Sequence, residues 1–464
     1  MKCARLTICV ALLLSGAAPG GEPTYGETPD LPNTPLTDFT APVKNAPLGG
    51  GFTGSIGGSV QHRYQDQDNR RDFNSKNTGP DDHDYSILAR ERINGELKYD
   101  GVFRLFVEGQ DAHELFTNNP AKLNPNDNAF DLYQGYIEAD LIPDIVDKPS
   151  LVLRLGRQEL VYGDGRLFSN DDWLNTGQSF DVAKAIWRPD GFQIDAFAGW
   201  PVLIDPHHPD PWTQKEKIAG FNLRALGVPL KQTLEAYTFY KWNDDPDTAG
   251  EAGRTGPEHL WTVGGRAEGP FFKEFDYETE ISLQFGERGG NQVLAGRGAA
   301  SLGYTFPFLW RSVRLSGNVT VASGDRNPTD HFSNRFDQLF ADPFSFHGKL
   351  LICADSNVDD FNPRLEARVW RGGLIGIDYH ELQLNQARDA FYQANGTPLR
   401  QDPTGNAGKD AGREFDFQLT HVLNQNVTVT GGVFLFKPGG LFKHTGSNAH
   451  DAATNVFIML KVGF

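Results

Sequence analysis

From about residue 55 onward the chain alternates between apolar and polar positions with a period of two. Phe275, Tyr277, Thr279, Ile281, Leu283 and Phe285 interleave with Asp276, Glu278, Glu280, Ser282 and Gln284, so a strand here presents one apolar and one polar face. The same alternation sets Phe103, Leu105 and Val107 against Arg104, Glu108 and Gln110. It also sets Tyr133, Gly135, Ile137 and Ala139 against Gln134, Tyr136, Glu138 and Asp140, and Val313, Leu315, Gly317, Val319 and Val321 against Arg314, Ser316, Asn318 and Thr320. No run of helical period competes. Eighteen strands are predicted, at about 55–65, 87–99, 101–110, 131–141, 150–158, 180–188, 192–200, 217–226, 233–242, 259–268, 274–286, 295–306, 312–323, 361–370, 374–384, 413–423, 427–437 and 453–464.

The connections sort by parity. Long ones are expected at 66–86, 111–130, 159–179, 201–216, 243–258, 287–294, 324–360, 385–412 and 438–452, with tight turns such as Asp100, Pro189 to Gly191 and Gly372 to Gly373 between them. A secreted sandwich has no reason to sort its loops this way, and no repeat of propeller-blade length is visible. An outer-membrane barrel does, with short turns in the periplasm and long loops outside. The predicted fold is therefore an all-β, transmembrane antiparallel β-barrel of about 18 strands in the outer membrane of a Gram-negative-type bacterium. Two charges break the pattern: Glu91 and Lys184 fall on the nominal lipid face, which requires a bulge or a position near the rim.

Composition narrows the picture. No stretch after the first segment reaches the roughly 18 apolar residues of a membrane-crossing helix, which a barrel does not need. Residues 1–20 carry Lys2 and Arg5, then Ile8 and Val10 to Leu14, then small residues, and read as a signal peptide. Its removal takes away Cys3 and Cys9, leaving Cys353 alone and no internal disulfide. Residues 21–54, with Pro23, Pro29, Pro32, Pro35, Pro42 and Pro47, read as a periplasmic leader, and 55–464 as the barrel. A formal charge of -17 excludes nucleic acid as a partner.

That acidity belongs to the loops. The nine long connections hold 33 acidic and 15 basic residues, whereas strands and turns are close to neutral. Within the strands, Arg63, Arg90, Arg92, Arg104, Arg154, Arg224, Arg266, Arg297, Arg314, Arg364 and Arg368 take the polar parity, which in a barrel is the lumen. Guanidinium groups bind carboxylate or sulfate through paired donors and stay charged, so these residues are candidate contacts for an anionic solute. The alternative is that they pair with Glu108, Glu138, Glu235, Asp276, Glu278, Glu280, Glu366, Glu414 and Asp416 in ladders that stiffen the wall.

Acidic loop residues such as Asp81, Asp82, Asp84, Asp244, Asp245, Asp247, Asp359 and Asp360 are either a solvated surface or a collector of divalent cations bridging to lipopolysaccharide. The His207–His208 pair lacks a second ligand pair at metal spacing and reads as a turn. No nucleophile elbow, zinc-protease motif or phosphate-binding loop occurs, so neither an enzyme nor a cofactor is expected.

One stretch is distinctive: Leu155-Gly156-Arg157-Gln158-Glu159-Leu160-Val161-Tyr162-Gly163-Asp164-Gly165-Arg166-Leu167, followed by Asp172-Trp173 and Asn175-Thr176-Gly177-Gln178-Ser179-Phe180-Asp181. It resembles the alginate-export family of outer-membrane barrels, as does Gly432-Val433-Phe434-Leu435-Phe436-Lys437-Pro438-Gly439. The resemblance implies a monomeric eighteen-stranded channel with an arginine-lined lumen for an anionic exopolysaccharide, and it makes Arg157, Asp164 and Arg166 candidate constriction residues. A terminal Phe464 closing an alternating strand resembles the signal read by outer-membrane assembly machinery. A general or carbohydrate-selective diffusion porin is the competing reading.

Overall fold

The computed structural model describes residues 43–69, 73, 83–117, 126–142, 150–306, 312–445 and 451–464. The expected signal peptide with Cys3 and Cys9, the leader up to residue 42, and Asp81 and Asp82 lie outside them.

The wall has eighteen strands: β1 (Phe52–Asp68), β2 (His83–Tyr99), β3 (Phe103–Leu115), β4 (Asn128–Asp140), β5 (Ser150–Gln158), β6 (Phe180–Arg188), β7 (Phe192–Pro201), β8 (Glu216–Val228), β9 (Gln232–Asn243), β10 (Glu258–Pro270), β11 (Phe275–Arg288), β12 (Asn291–Thr305), β13 (Val313–Ala322), β14 (Val358–Trp370), β15 (Gly373–Leu384), β16 (Asp410–Val422), β17 (Val427–Pro438) and β18 (Ala453–Gly463). Each pairs antiparallel with its neighbours in sequence, and β18 pairs with β1, from Ser59 opposite Gly463 to Asp68 opposite Thr454. The sheet thus closes on itself and has no free edge. Every strand expected from the alternation is present. A short strand, Ala46–Gly49, folds back on the foot of β1.

Alternation translates directly into sidedness. In β11, Ile281 is 62% exposed on the outer face while its neighbour Glu280 is 4% exposed on the lumen face. The exposed apolar band is flanked by aromatic rims, with Phe52, Tyr99, Phe103, Trp187, Phe192 and Trp370 near the short-turn end and Trp200, Trp212 and Trp261 toward the other. Amphipathic rings favour the interfacial level of a bilayer, which places the band across hydrocarbon.

Four expectations need correction. The connection expected at 287–294 is a two-residue turn, Gly289–Gly290, because both glycines adopt positive φ (55° and 76°) and close the hairpin tightly. Lys184 faces the lumen, paired with Asp195 at 2.9 Å. In β6 the apolar residues Phe180, Val182 and Ile186 are the inward ones, and Phe180 and Val182 join a buried cluster with loop residues, so hydrophobicity there marks the inner face. Tyr133 also turns inward, because a bulge opposite Glu108 and Gly109 flips the parity of β4. Glu91 does face outward, with no register shift between β1 and β2, and is held by His62 at 2.8 Å.

Candidate channel constriction

Two long connections fold inward and fill the lumen toward the long-loop end: L3 (159–179) and L7 (323–357). L3 carries Leu160, Tyr162, Leu167 and Phe168, all buried. Tyr162 stacks on Phe197 of β7, with ring centroids 5.5 Å apart, and Phe168 meets Phe180 of β6 and Phe239 of β9. Burying side chains of this size stabilises by roughly 1.5–3 kcal/mol each, which is why this segment leaves solvent and packs inside the barrel. L7 joins it through main-chain bonds. Phe340 N donates to Leu167 O (2.9 Å), Ser169 N to Phe340 O (2.9 Å) and Asp342 N to Gly165 O (3.0 Å).

The tip of L3 docks on β1 to β3 chiefly through its carbonyls. Arg63 Nη1 donates to Trp173 O (2.9 Å), and its guanidinium lies 3.8 Å from the Trp173 ring centroid. Arg90 Nη1 donates to Asp172 O and Leu174 O at 3.1 and 3.2 Å. Asn175 Nδ2 reaches Ala89 O and Asn126 O, and Gln110 Nε2 reaches Thr176 O. At Gly177 the left-handed backbone (φ 64°) favours glycine, and a Cβ would come within 2.8 Å of Arg92 Nη2 and Tyr133 Oη, which would have to shift. L3 is a strap, rooted between β5 and β6 and fastened to the wall three strands away.

Around that tip the bases converge on one carboxylate. Asp172 accepts from Arg90 Nη2 (2.7 Å) and Lys461 Nζ (2.9 Å), and Arg92 Nη1 lies 3.7 Å away. Against the pull of desolvation, Arg90, Lys461 and Arg92 hold this carboxyl far below the usual range. Arg92 also lies 3.8 Å over the ring of Tyr133, whose hydroxyl donates to Glu159 at 2.7 Å. Burial pushes the Asp171 carboxyl up to about 8, with Asp342 of L7 adding to the shift.

Asp164 and Arg166 lie within the lumen on L3, paired at 3.0 Å, and the Arg166 guanidinium covers Phe346 of L7 at 4.0 Å. Although burial alone would raise it, Arg166 and Arg266 bring Asp164 below its ordinary value. Arg157 is elsewhere. It shares the parity of Leu153 and Leu155, exposed on the outer face, and is clamped by Asp181 (2.9 and 3.0 Å) and by Asp210 O (2.8 Å) of the fourth long loop.

The other candidate arginines of the strands face inward and most meet acids of the wall or of L7. Arg104 pairs with Glu96 (2.5 Å), Arg154 with Glu138 (2.6 Å), and Arg314 with Asp276 and Glu366 (2.6 and 3.1 Å). Arg364 pairs with Asp378, and Arg297 with Glu280 and Asp355 (2.9 and 3.0 Å). Arg266, 1% exposed at its side chain, meets Glu235, Glu268 and Glu278 within 3.1 Å. Arg368 lies on the same face of β14, and its main-chain N donates to Ser312 O. Lys461 and Asp172 meet at the tip of L3, which the sequence reading did not bring together. The signals were present, as a lone base on the polar parity of the last strand and as the Asp-Trp dipeptide.

A closed barrel with an apolar belt, a polar interior and inward-folded loops defines an outer-membrane channel of porin-like architecture. The fold resembles that of solved outer-membrane proteins: Pseudomonas aeruginosa OccK3 (OpdO), at TM-score 0.56 and 11% identity over 89% of this chain and 95% of that one, and Acinetobacter baumannii OccAB2, at 0.56 and 9% over 89% and 98%. Pseudomonas aeruginosa opdK is similar at 0.55 and 9%, over 89% and 98%. No curated protein matches the chain. The alginate-export family description matches residues 53–456, and the chain belongs to that family. The short turns therefore face the periplasm, the long loops face outward, and the belt meets outer-membrane lipid and lipopolysaccharide.

Proposed function

We propose that this channel passes an anionic, alginate-like polysaccharide or a related anionic solute along its inward arginines. The observation that carries this reading is the gathering of bases at the tip of L3, where Arg90, Arg92 and Lys461 converge on Asp172, Arg63 adds a fourth positive group beside Trp173, and Glu159 lies farther off, 3.9 Å from Arg92. Excess positive charge at a narrow place in a low-dielectric wall concentrates anions and discriminates against cations. Arg104, Arg154, Arg314, Arg364 and Arg368, on the same inner face, continue a charged surface toward the periplasm. No covalent step is proposed.

A diffusion porin is the second reading. It is favoured by the full engagement of Arg266 and Arg297 with carboxylates, which suits a wall ladder. Current through the purified barrel in planar bilayers separates the two. Anion preference together with block by a soluble polyuronate, and no block by a neutral glucan of equal length, is the expected result. Equal block by both polymers would assign the channel to general diffusion. A monomeric barrel, cleavage of residues 1–20, a periplasmic leader before the barrel and insertion by outer-membrane assembly machinery belong to the same proposal.

A further inference from the structure

We propose that Asp172 is a built-in stand-in for the carboxylate of a passing polyuronate, occupying the site formed by Arg90, Arg92 and Lys461 until a cargo carboxylate exchanges with it. The inference rests on the anionic-polymer reading above and specifies how the constriction would engage its cargo.

Three relationships support it. First, Asp172 and its partners differ in exposure. The Asp172 side chain is 40% exposed, whereas Arg90 is 1%, Arg92 11% and Lys461 18% exposed, so the bases form a floor and the carboxylate lies on its wet side. An anion approaching through the lumen meets that carboxylate first and then the bases behind it. Second, the strap does not depend on this carboxylate for its position. Its tip is fastened through the carbonyls of Asp172, Trp173 and Leu174 and through Asn175, so the Asp172 side chain can swing away while the backbone stays docked. Third, the exchange is charge-neutral at the site. One carboxylate replaces another on the same donors, so neither the bases nor the incoming group is left unpaired, which is the costly outcome for a buried charge. A polymer bearing one carboxylate per sugar would repeat the exchange as it moves, and an empty channel would keep one carboxylate on these bases.

The test compares wild type, Asp172→Asn, Asp172→Glu and Lys461→Gln in planar bilayers, with oligogalacturonate as the blocking polyanion. Heat-modifiable migration serves as the check on folding. Asp172→Asn empties the site without changing side-chain volume, so block is expected at about one-tenth of the wild-type concentration. Asp172→Glu restores a carboxylate and should return block to near the wild-type level. Lys461→Gln should raise the blocking concentration, and should do so more strongly in the Asp172→Asn background, where cargo has the base to itself. If wild type is blocked and folded Asp172→Asn is blocked no more readily, the exchange is overturned while the anionic-polymer reading stands. If neither protein is blocked, the polymer reading itself fails, and the exchange with it.

Discussion

Trp173 at the tip of L3 lies face to face with Phe344 of L7, with ring centroids 3.7 Å apart and planes 11° from parallel. The same indole meets Phe457 of β18 edge-on at 5.1 Å and carries Arg63 on a ring face. One side chain thereby ties both inward loops to the wall at the seam where the barrel closes.

Replacing Trp173 by Ala removes that tie. The loss of buried aromatic area is worth about 3–5 kcal/mol to the loop pair, while the wall hydrogen bonds are untouched. We expect a folded barrel with larger and noisier single-channel currents. Quiet, wild-type conductance would show that the loops are held apart from this stack.

Arg266 should be the least replaceable of the wall arginines. Its side chain is buried among Glu235, Glu268 and Glu278, and Arg266→Gln would take the shared cation from all three, leaving Glu235 only Arg224 at 3.7 Å. Breaking a buried network of this kind costs about 3–5 kcal/mol. A marked drop in the urea or thermal midpoint of the detergent-solubilised barrel checks this, with Arg104→Gln, at a partly exposed pair, as the mild comparison.

The wall arginines nearer the periplasm can be tested together. Replacing Arg104, Arg154 and Arg364 by Gln removes three inward charges, and reversal potentials in a salt gradient should then move toward cation preference. Unchanged selectivity in a heat-modifiable variant would assign all three to structure.

His347 gives L7 a dependence on pH. Burial alone would lower the pKa of this imidazole, but the carboxylate of Asp355 of L7, 3.4 Å away, and a hydrogen bond with Asp360 of β14 at 3.1 Å raise it to about 9. The folded value lies above the unfolded value of about 6.5, so the stabilisation is complete below pH 6.5 and is lost as pH rises through about 9. Hydrogen exchange or proteolysis of L7 should accelerate across that window. His347→Gln should flatten this dependence, and a profile that keeps its slope in the variant would place the titration elsewhere.

The wall was legible because period-two alternation is a local signal that a bilayer enforces strand by strand: β11 and β13 follow it along their length. It fails where the lumen is not wet. Inward Phe180 and Val182 read as lipid-facing in isolation, because nothing local announces that Leu160, Tyr162 and Phe168 return to cover them. That covering is a long-range contact, and it also hid the position of Lys184. The placement of the inward strap was half visible. Asp164 and Arg166 lie in the lumen as the family likeness suggested, but Arg157, from the same motif, sits on the outer face, since one residue of parity decides the side of a wall. The partners of Asp172 come from opposite ends of the chain, β2 and β18, and are brought together only by closure.

The glycine pair at the tip of the β11–β12 hairpin has a practical side. A solvent-facing two-residue turn is the natural spot for grafting an epitope or a fluorescent peptide onto a barrel displayed on cells. Here it is a poor one. Gly289 abuts Gly250 of the neighbouring loop, where even a Cβ would come within 2.2 Å of the Gly250 nitrogen. Phe332–Ser333, on the descending limb of L7, runs alongside Gln292 and Val293 immediately beyond it. A peptide stitched into that tip would prop up the limb and lift L7 from its seat, so a label carried there would report on a channel with its interior rearranged.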